Sequence, residues 1–166
     1  MNKVTQMCAY ALFAALTVVS KEILAFLPNV ELVSFLLMMY GLYFSISGTL
    51  TISVLFCFIQ MILYGIGIWT PMYFIVWPLF ALLAHVLKKQ LNTYQRCAIF
   101  SGMFGLIFGF LFSIPYFMIS IHTGWIYFIK GIPFDLVHGV ANYLIMVVLF
   151  DSISPVFKRI SNRLYA

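Results

Sequence analysis

The chain has 166 residues, of which 64% are hydrophobic and 8% are charged, and its mean hydropathy is +1.09. Soluble domains carry about 25% charged residues, so this composition excludes an ordinary soluble protein and predicts one all-α integral membrane domain over residues 1–166. The formal net charge of +5 does not indicate nucleic-acid binding, because the basic residues lie at helix ends. It suits an anionic lipid surface instead.

Proline, glycine and short polar links divide the chain into six apolar segments. The predicted helices cover about residues 4–27, 32–46, 49–64, 71–87, 97–121 and 133–151. A spanning helix needs about 20 apolar residues, so the second, third and fourth are short for a full crossing. Polar loop backbone is therefore expected to dip into the bundle, where protein or water surrounds it.

The basic residues predict the direction of this six-helix bundle. An even number of crossings places both termini on one side, together with the 2–3 and 4–5 links. Seven basic residues fall on that side: Lys3, Lys88, Lys89, Arg96, Lys158, Arg159 and Arg163. Only Lys21 and Lys130 fall on the other side. The positive-inside rule therefore predicts that both termini are cytoplasmic.

The outer ends of the first four helices contain four candidate ligand-binding residues. Lys21 lies inside the outer half of the first helix, where an ionisable group either snorkels, bonds a neighbouring helix or contacts a polar ligand. Asn29 follows Pro28, so it either ends the helix or contacts the ligand, and Glu31 follows in the same loop. Trp69 is either an interfacial anchor or a lid that stacks on a flat ligand.

The loop before the sixth helix and the outer part of that helix add four more candidates. Asp135, His138 and Asn142 are spaced three and four residues apart, so they share one helix face, and Trp125 precedes them. A structural role is open for Asp135, which the helix dipole stabilises, and for His138, which can bond Asp135 alone. Three polar groups on one side of a membrane helix favour a ligand-facing stripe. A metal site has less support because third and fourth ligands are missing, and no pattern indicates catalytic residues or a cofactor.

The first helix carries Ala11 and Ala15 one turn apart, a smooth strip that another helix can approach closely. Together with six short helices, the chain length and the segments 28–31, 65–71 and 131–138, this strip resembles the substrate-binding (S) component of an energy-coupling factor vitamin transporter. The resemblance covers essentially the whole chain.

The resemblance implies a six-helix bundle in a prokaryotic cell membrane that captures a vitamin or related micronutrient from outside. It implies docking through Ala11 and Ala15 onto a transmembrane coupling subunit, which two ATPase subunits carry, and therefore no enzymatic activity of the chain itself. The loop motifs favour a corrinoid or its precursor among the vitamins. Two alternatives stay open: a small membrane enzyme that uses Asp135 and His138, and a ligand-free membrane assembly subunit.

Overall fold

The computed structural model describes residues 2–166, which form six helices and no strand. The helices are α1 (Lys3–Ile23), α2 (Val33–Tyr43), α3 (Ile46–Tyr64), α4 (Thr70–Val86), α5 (Tyr94–Ile119) and α6 (Ile121–Leu164). The prediction of an all-α protein with six helices is confirmed over this range. Four helices, α1, α3, α5 and α6, are long and apolar enough to cross a membrane, whereas α2 and α4 are shorter apolar helices.

Helix α2 lies at the centre of the bundle. All its residues from Val33 to Gly41 are buried, and α1, α3, α4, α5 and α6 all contact it. A Cβ atom at Gly41 would lie 2.7 Å from the carbonyl oxygen of Ala81 on α4, so glycine permits the close contact between these helices. Eleven residues extend only about 16 Å, and the surrounding helices shield this short segment.

Helices α5 and α6 form a long antiparallel hairpin. Its two helices cross closely at three glycines, because a Cβ atom at Gly105 would lie 2.7 Å from the nitrogen of Gly139, and one at Gly102 would lie 3.2 Å from the Gly139 oxygen. Gly102 and Gly105 of α5 therefore serve packing within the hairpin.

Helix α6 begins earlier and ends later than the sequence predicts. Residues 121–132, expected to form a loop, are helical, and Pro133 lies inside α6 instead of starting it. The segment packs against α5, where the rings of Tyr116 and Tyr127 stack with centroids 4.1 Å apart. Tertiary packing of this kind, more than local propensity, decides whether a marginal segment is helical.

Both chain termini lie at one end of the bundle, which we call the terminal end. The side chain of Gln6 donates a hydrogen bond to the carbonyl oxygen of Leu164 at 3.0 Å. The Tyr165 hydroxyl lies 3.1 Å from that of Tyr10 and accepts the backbone N–H of Ser45 at 3.0 Å. The opposite end, where α1, α3 and α5 finish, is called the cavity end.

Candidate functional site

A cavity of about 710 Å³ opens at the cavity end. It lies between the ends of α1, α3 and α4 on one side and the α5–α6 hairpin on the other. This volume is within the range of small-molecule pockets, about 300–1,000 Å³. Lys21, Asn29, Trp69 and Asp135, four of the eight predicted binding residues, line it.

Eight of the 17 residues that line the cavity are aromatic. The aromatic lining residues are Tyr64, Trp69, Tyr73, Phe108, Phe112, Tyr116, Tyr127 and Phe134. Trp69 meets Tyr73 edge-on at 4.7 Å between ring centroids, and Phe108 stacks on Phe112 at 4.4 Å. Such rigid, mutually supported rings provide apolar surface for a flat ligand.

The loop between α3 and α4 holds Trp69 against the cavity. Gly65 ends α3 with φ of 77°, a left-handed conformation that glycine adopts without strain. A Cβ atom at Gly67 would lie 2.8 Å from the Trp69 ring, so the absence of a side chain there lets the indole fold back over the loop. The two glycines thus position the ring.

Asp135 is the buried acidic group of the cavity wall. Its side chain is on α6 and only 7% of the residue is exposed. The backbone N–H of Gly109, on α5, donates to Oδ1 at 2.8 Å, and the carboxylate occupies the space that a Cβ atom at Gly109 would need. Oδ2 has no hydrogen-bond partner among residues 2–166. One carboxylate oxygen is therefore fixed by α5, and the other is free to accept a hydrogen bond from a ligand.

Lys21 lies in the cavity wall beside a set of bonds that join α1 to α3. Its ammonium group is 3.4 Å from Glu22 and 4.5 Å from the centre of the Tyr64 ring. Glu22 accepts hydrogen bonds from Gln60 at 3.1 Å and from the Tyr64 hydroxyl at 2.5 Å. The neighbouring carboxylate thus balances the charge of Lys21.

Lys130 is the second cation of the cavity wall. Unlike Lys21, it forms no ion pair with any residue in the described range. Asp135 is the other charged lining group, so the lining groups carry a formal charge of +1. Glu22, which pairs with Lys21 behind the lining, brings the sum to zero. The cavity therefore offers separated donors and acceptors without a net charge.

Glu31, His138 and Asn142 form a buried polar network outside the cavity lining. A carboxylate oxygen of Glu31 lies 3.2 Å from Nε2 of His138, and Glu31 also accepts the backbone N–H of Ser34 at 2.9 Å. The side-chain amide of Asn142 donates to the Ser34 hydroxyl at 3.1 Å. The network caps the start of α2 and ties it to α6.

Trp125 stands apart from the other predicted binding residues. It is 52% exposed and packs against Phe117 and Phe128 on the α5–α6 hairpin, and it does not line the cavity. The structure thus brings together Lys21, Asn29, Trp69 and Asp135 and separates them from the other four. Ligand contact by any of the eight stays a prediction. Ala11 and Ala15, the predicted docking residues, are exposed on α1.

Several lining residues escaped the sequence analysis, among them Gln60, Tyr73 and Tyr116. Gln60 had a detectable signal, because it is the only amide in α3, whose other polar side chains are serine, threonine and tyrosine hydroxyls, and it is buried. Polar residues in membrane helices usually mark a partner or a cavity. The tyrosines had none, since aromatic residues make up 19% of the chain.

Asn29 adopts a left-handed conformation, with φ of 58°, which asparagine tolerates better than most residues. It lies in the turn between α1 and α2 and, as a lining residue, adds an amide to the cavity wall.

Within residues 2–166, no three His, Cys, Asp or Glu side chains are grouped so that they could hold a metal ion. The chain matches none of the protein-family models, curated proteins or solved structures with which it was compared.

Proposed function

We propose that this chain is the substrate-binding (S) component of an energy-coupling factor transporter, spanning a prokaryotic cell membrane six times with both termini in the cytoplasm. The observation that carries the proposal is the cavity of about 710 Å³ at the end of the bundle opposite the chain termini. In this proposal the cavity receives a vitamin or related micronutrient from outside the cell.

The charge distribution supports this orientation. Seven of the nine Lys and Arg residues occupy α1's first turn, the α4–α5 link and its flank, or the end of α6, all at the terminal end. An excess of basic residues is typical of the cytoplasmic side. The cavity end then faces the medium from which a nutrient would come.

The cavity chemistry favours a particular kind of ligand. Its aromatic walls suit a flat ring system, and its balanced charges suit a neutral or zwitterionic molecule better than a polyanion. Oδ2 of Asp135, which no residue of the described range engages, can accept a hydrogen bond from a donor such as an amine or amide N–H of the ligand. A corrinoid or corrinoid precursor, which the loop motifs favour, is the first vitamin to test.

The exposed face of α1 supports docking onto a partner. Ala11 and Ala15 lie on it between larger exposed residues, Leu12 at 71% and Leu16 at 46% exposure. Small residues let another helix approach closely within a membrane. We propose that a transmembrane coupling subunit, carried by two ATPase subunits, docks here and supplies the energy that the chain itself lacks.

The enzyme alternative has less support, because Asp135 lines the cavity whereas His138 is bonded to Glu31 outside that lining. The assembly-subunit alternative gives no role to a cavity with an unpartnered carboxylate oxygen.

Mass spectrometry of the protein purified from cells grown in rich medium tests the proposal. We expect one small molecule to co-purify in near-equal amount and Asp135→Asn to lose most of it while staying folded. Conversion of the bound molecule into a product would favour the enzyme. A stable, empty protein that binds no member of a vitamin panel, corrinoids included, would contradict the proposal.

A further inference from the structure

We propose that a second, separate groove at the start of α5 binds an anionic phospholipid. The groove has a volume of about 570 Å³ and lies at the terminal end, on the other side of the bundle from the cavity. It is lined by Gln90, Leu91, Arg96, Ile99, Phe100 and Met103. This inference goes beyond the proposed function, and its test needs no ligand in the cavity.

The groove places a cationic side chain next to an apolar surface, as the headgroup and acyl chains of an anionic phospholipid require. Arg96, Ile99, Phe100 and Met103 are spaced three, four and seven residues apart, so they form one face of α5 about 10 Å long. Ile99 and Met103 are 57% and 55% exposed, and Phe100 stacks on Phe80 of α4 at 5.5 Å. A cationic group thus lies at one end of an open apolar strip that an acyl chain would cover.

Arg96 is held in place to receive a phosphate. Its Nη1 donates to the carbonyl oxygen of Gln90 and to the side chain of Asn92, both at 3.1 Å. The guanidinium forms no ion pair in the described part of the chain, so its remaining N–H groups are available. A guanidinium binds phosphate through two parallel hydrogen bonds, and the nearby N-terminus of α5 adds a favourable dipole.

The charge around the groove favours an anionic headgroup over a zwitterionic one. Residues 88–103 include Lys88, Lys89 and Arg96 and no acidic residue, and none of the three cations has a carboxylate partner within residues 2–166. Basic groups beside the membrane attract anionic lipids, whereas the positive end of a zwitterionic headgroup would meet Lys88 and Lys89.

Native mass spectrometry of the full chain in mild detergent tests the site, with phosphatidylglycerol or phosphatidylcholine of the same acyl chains added. We expect phosphatidylglycerol to be retained at roughly tenfold lower concentration. Arg96→Gln should abolish most of that preference. The matched control Lys158→Gln removes an exposed cation at the terminal end outside the groove and should change retention less than twofold.

Equal retention of both lipids would overturn the proposal, because the groove would then not select an anionic headgroup. Equal loss in Arg96→Gln and Lys158→Gln would overturn it in favour of general attraction to a basic surface. A third arm adds inorganic phosphate at constant ionic strength, which should not displace the lipid. Displacement would identify a free-phosphate site instead.

Ile99→Ala with Met103→Ala should weaken retention of long-chain lipid while leaving the unfolding temperature unchanged, since both side chains are exposed. Unchanged retention of the lipid in that double variant would rule out contact between an acyl chain and the apolar face of α5.

Discussion

The carboxylate of Asp135 on α6 takes the place of a side chain at Gly109 on α5, whose backbone N–H donates to it at 2.8 Å. The bond joins the two helices beside the cavity, and glycine is required for it. Hydrogen bonds to charged groups contribute about 1.5–3 kcal/mol, so this contact should matter for stability, and under the proposed function it also orients a group that the ligand meets.

Gly109→Ala should therefore lower stability by about 0.5–2 kcal/mol, because its Cβ atom displaces the carboxylate and the lost hydrogen bond outweighs the roughly 1 kcal/mol that alanine gains in a helix. Thermal unfolding in detergent measures the change. Gly131→Ala is the matched control, since a Cβ atom there would meet nothing within 4 Å, and it should be neutral or stabilising. An unfolding temperature that falls equally in both variants would refute the role of the Asp135 contact.

Trp69 and Trp125 should differ in their effect on ligand affinity. Trp69 lines the cavity, whereas Trp125 packs on the outside of the α5–α6 hairpin. Trp69→Ala should weaken binding of the co-purified molecule roughly three- to tenfold, as expected for the loss of one aromatic contact, and Trp125→Ala should leave it unchanged. Titration calorimetry, after the co-purified molecule has been removed from the protein, compares the affinities of the two variants. A larger loss with Trp125→Ala would place the ligand elsewhere.

Glu31→Gln should affect stability more than ligand affinity. The carboxylate caps α2 through Ser34 and bonds His138, so its neutralisation should cost about 1–2 kcal/mol. Because Glu31 does not line the cavity, affinity should change less than twofold. Asp151→Asn, at an exposed position on α6, serves as the charge-matched control. A large loss of affinity at full stability would instead make Glu31 a ligand-binding residue.

Ala11→Trp or Ala15→Trp should block uptake and preserve binding, because the bulky ring prevents close approach of a partner helix. Uptake of labelled substrate into whole cells, beside binding to the purified protein, separates the two effects. Val148→Trp places the same ring at a 69% exposed position on α6 and should leave uptake normal. Normal uptake in the α1 variants would remove α1 from the docking surface.

Cysteine labelling should establish the orientation. In a Cys8→Ser background, which leaves the buried Cys57 and Cys97, Ile66→Cys should react with a membrane-impermeant maleimide in intact cells. Ile66 is 85% exposed in the α3–α4 loop. Gln90→Cys, in the α4–α5 link, should react only after permeabilisation. The reverse pattern would turn the cavity toward the cytoplasm and contradict the transporter proposal.

The helical fold was accessible from sequence because hydrophobic segments and their punctuation are local properties. Gly65 and Gly67 mark a real break, and the residues at that break, with Asn29 and Lys21, do lie together around a cavity. The predicted start of the sixth helix at Pro133 was wrong because only local signals were used, and a proline favours a helix start locally. The stacking of Tyr116 on Tyr127, which accompanies the earlier start of α6, is a contact between helices that no local pattern contains.

The sequence also could not predict which polar residues of α6 line the cavity and which bond to other helices. Asp135, His138 and Asn142 share one face of α6, and the spacing alone treats them alike. What separates them is the position of Glu31 and Ser34 on a different segment, which engage His138 and Asn142 and leave Asp135 beside the cavity. Sequence periodicity identifies a face of a helix, whereas the partners opposite that face depend on tertiary structure.

The 44 residues of α6 make a continuous rod about 66 Å long, roughly twice the thickness of a bilayer's hydrocarbon layer. One part of this rod walls the cavity through Asp135, and its far end holds Tyr165 against Tyr10 and Ser45. Pro133 and Pro155 both lie inside this helix, and each interrupts its hydrogen-bond ladder where a helix can bend. Any tilt that an occupant imposes at one end must therefore either reach the tyrosine contacts at the other or be absorbed at these two prolines.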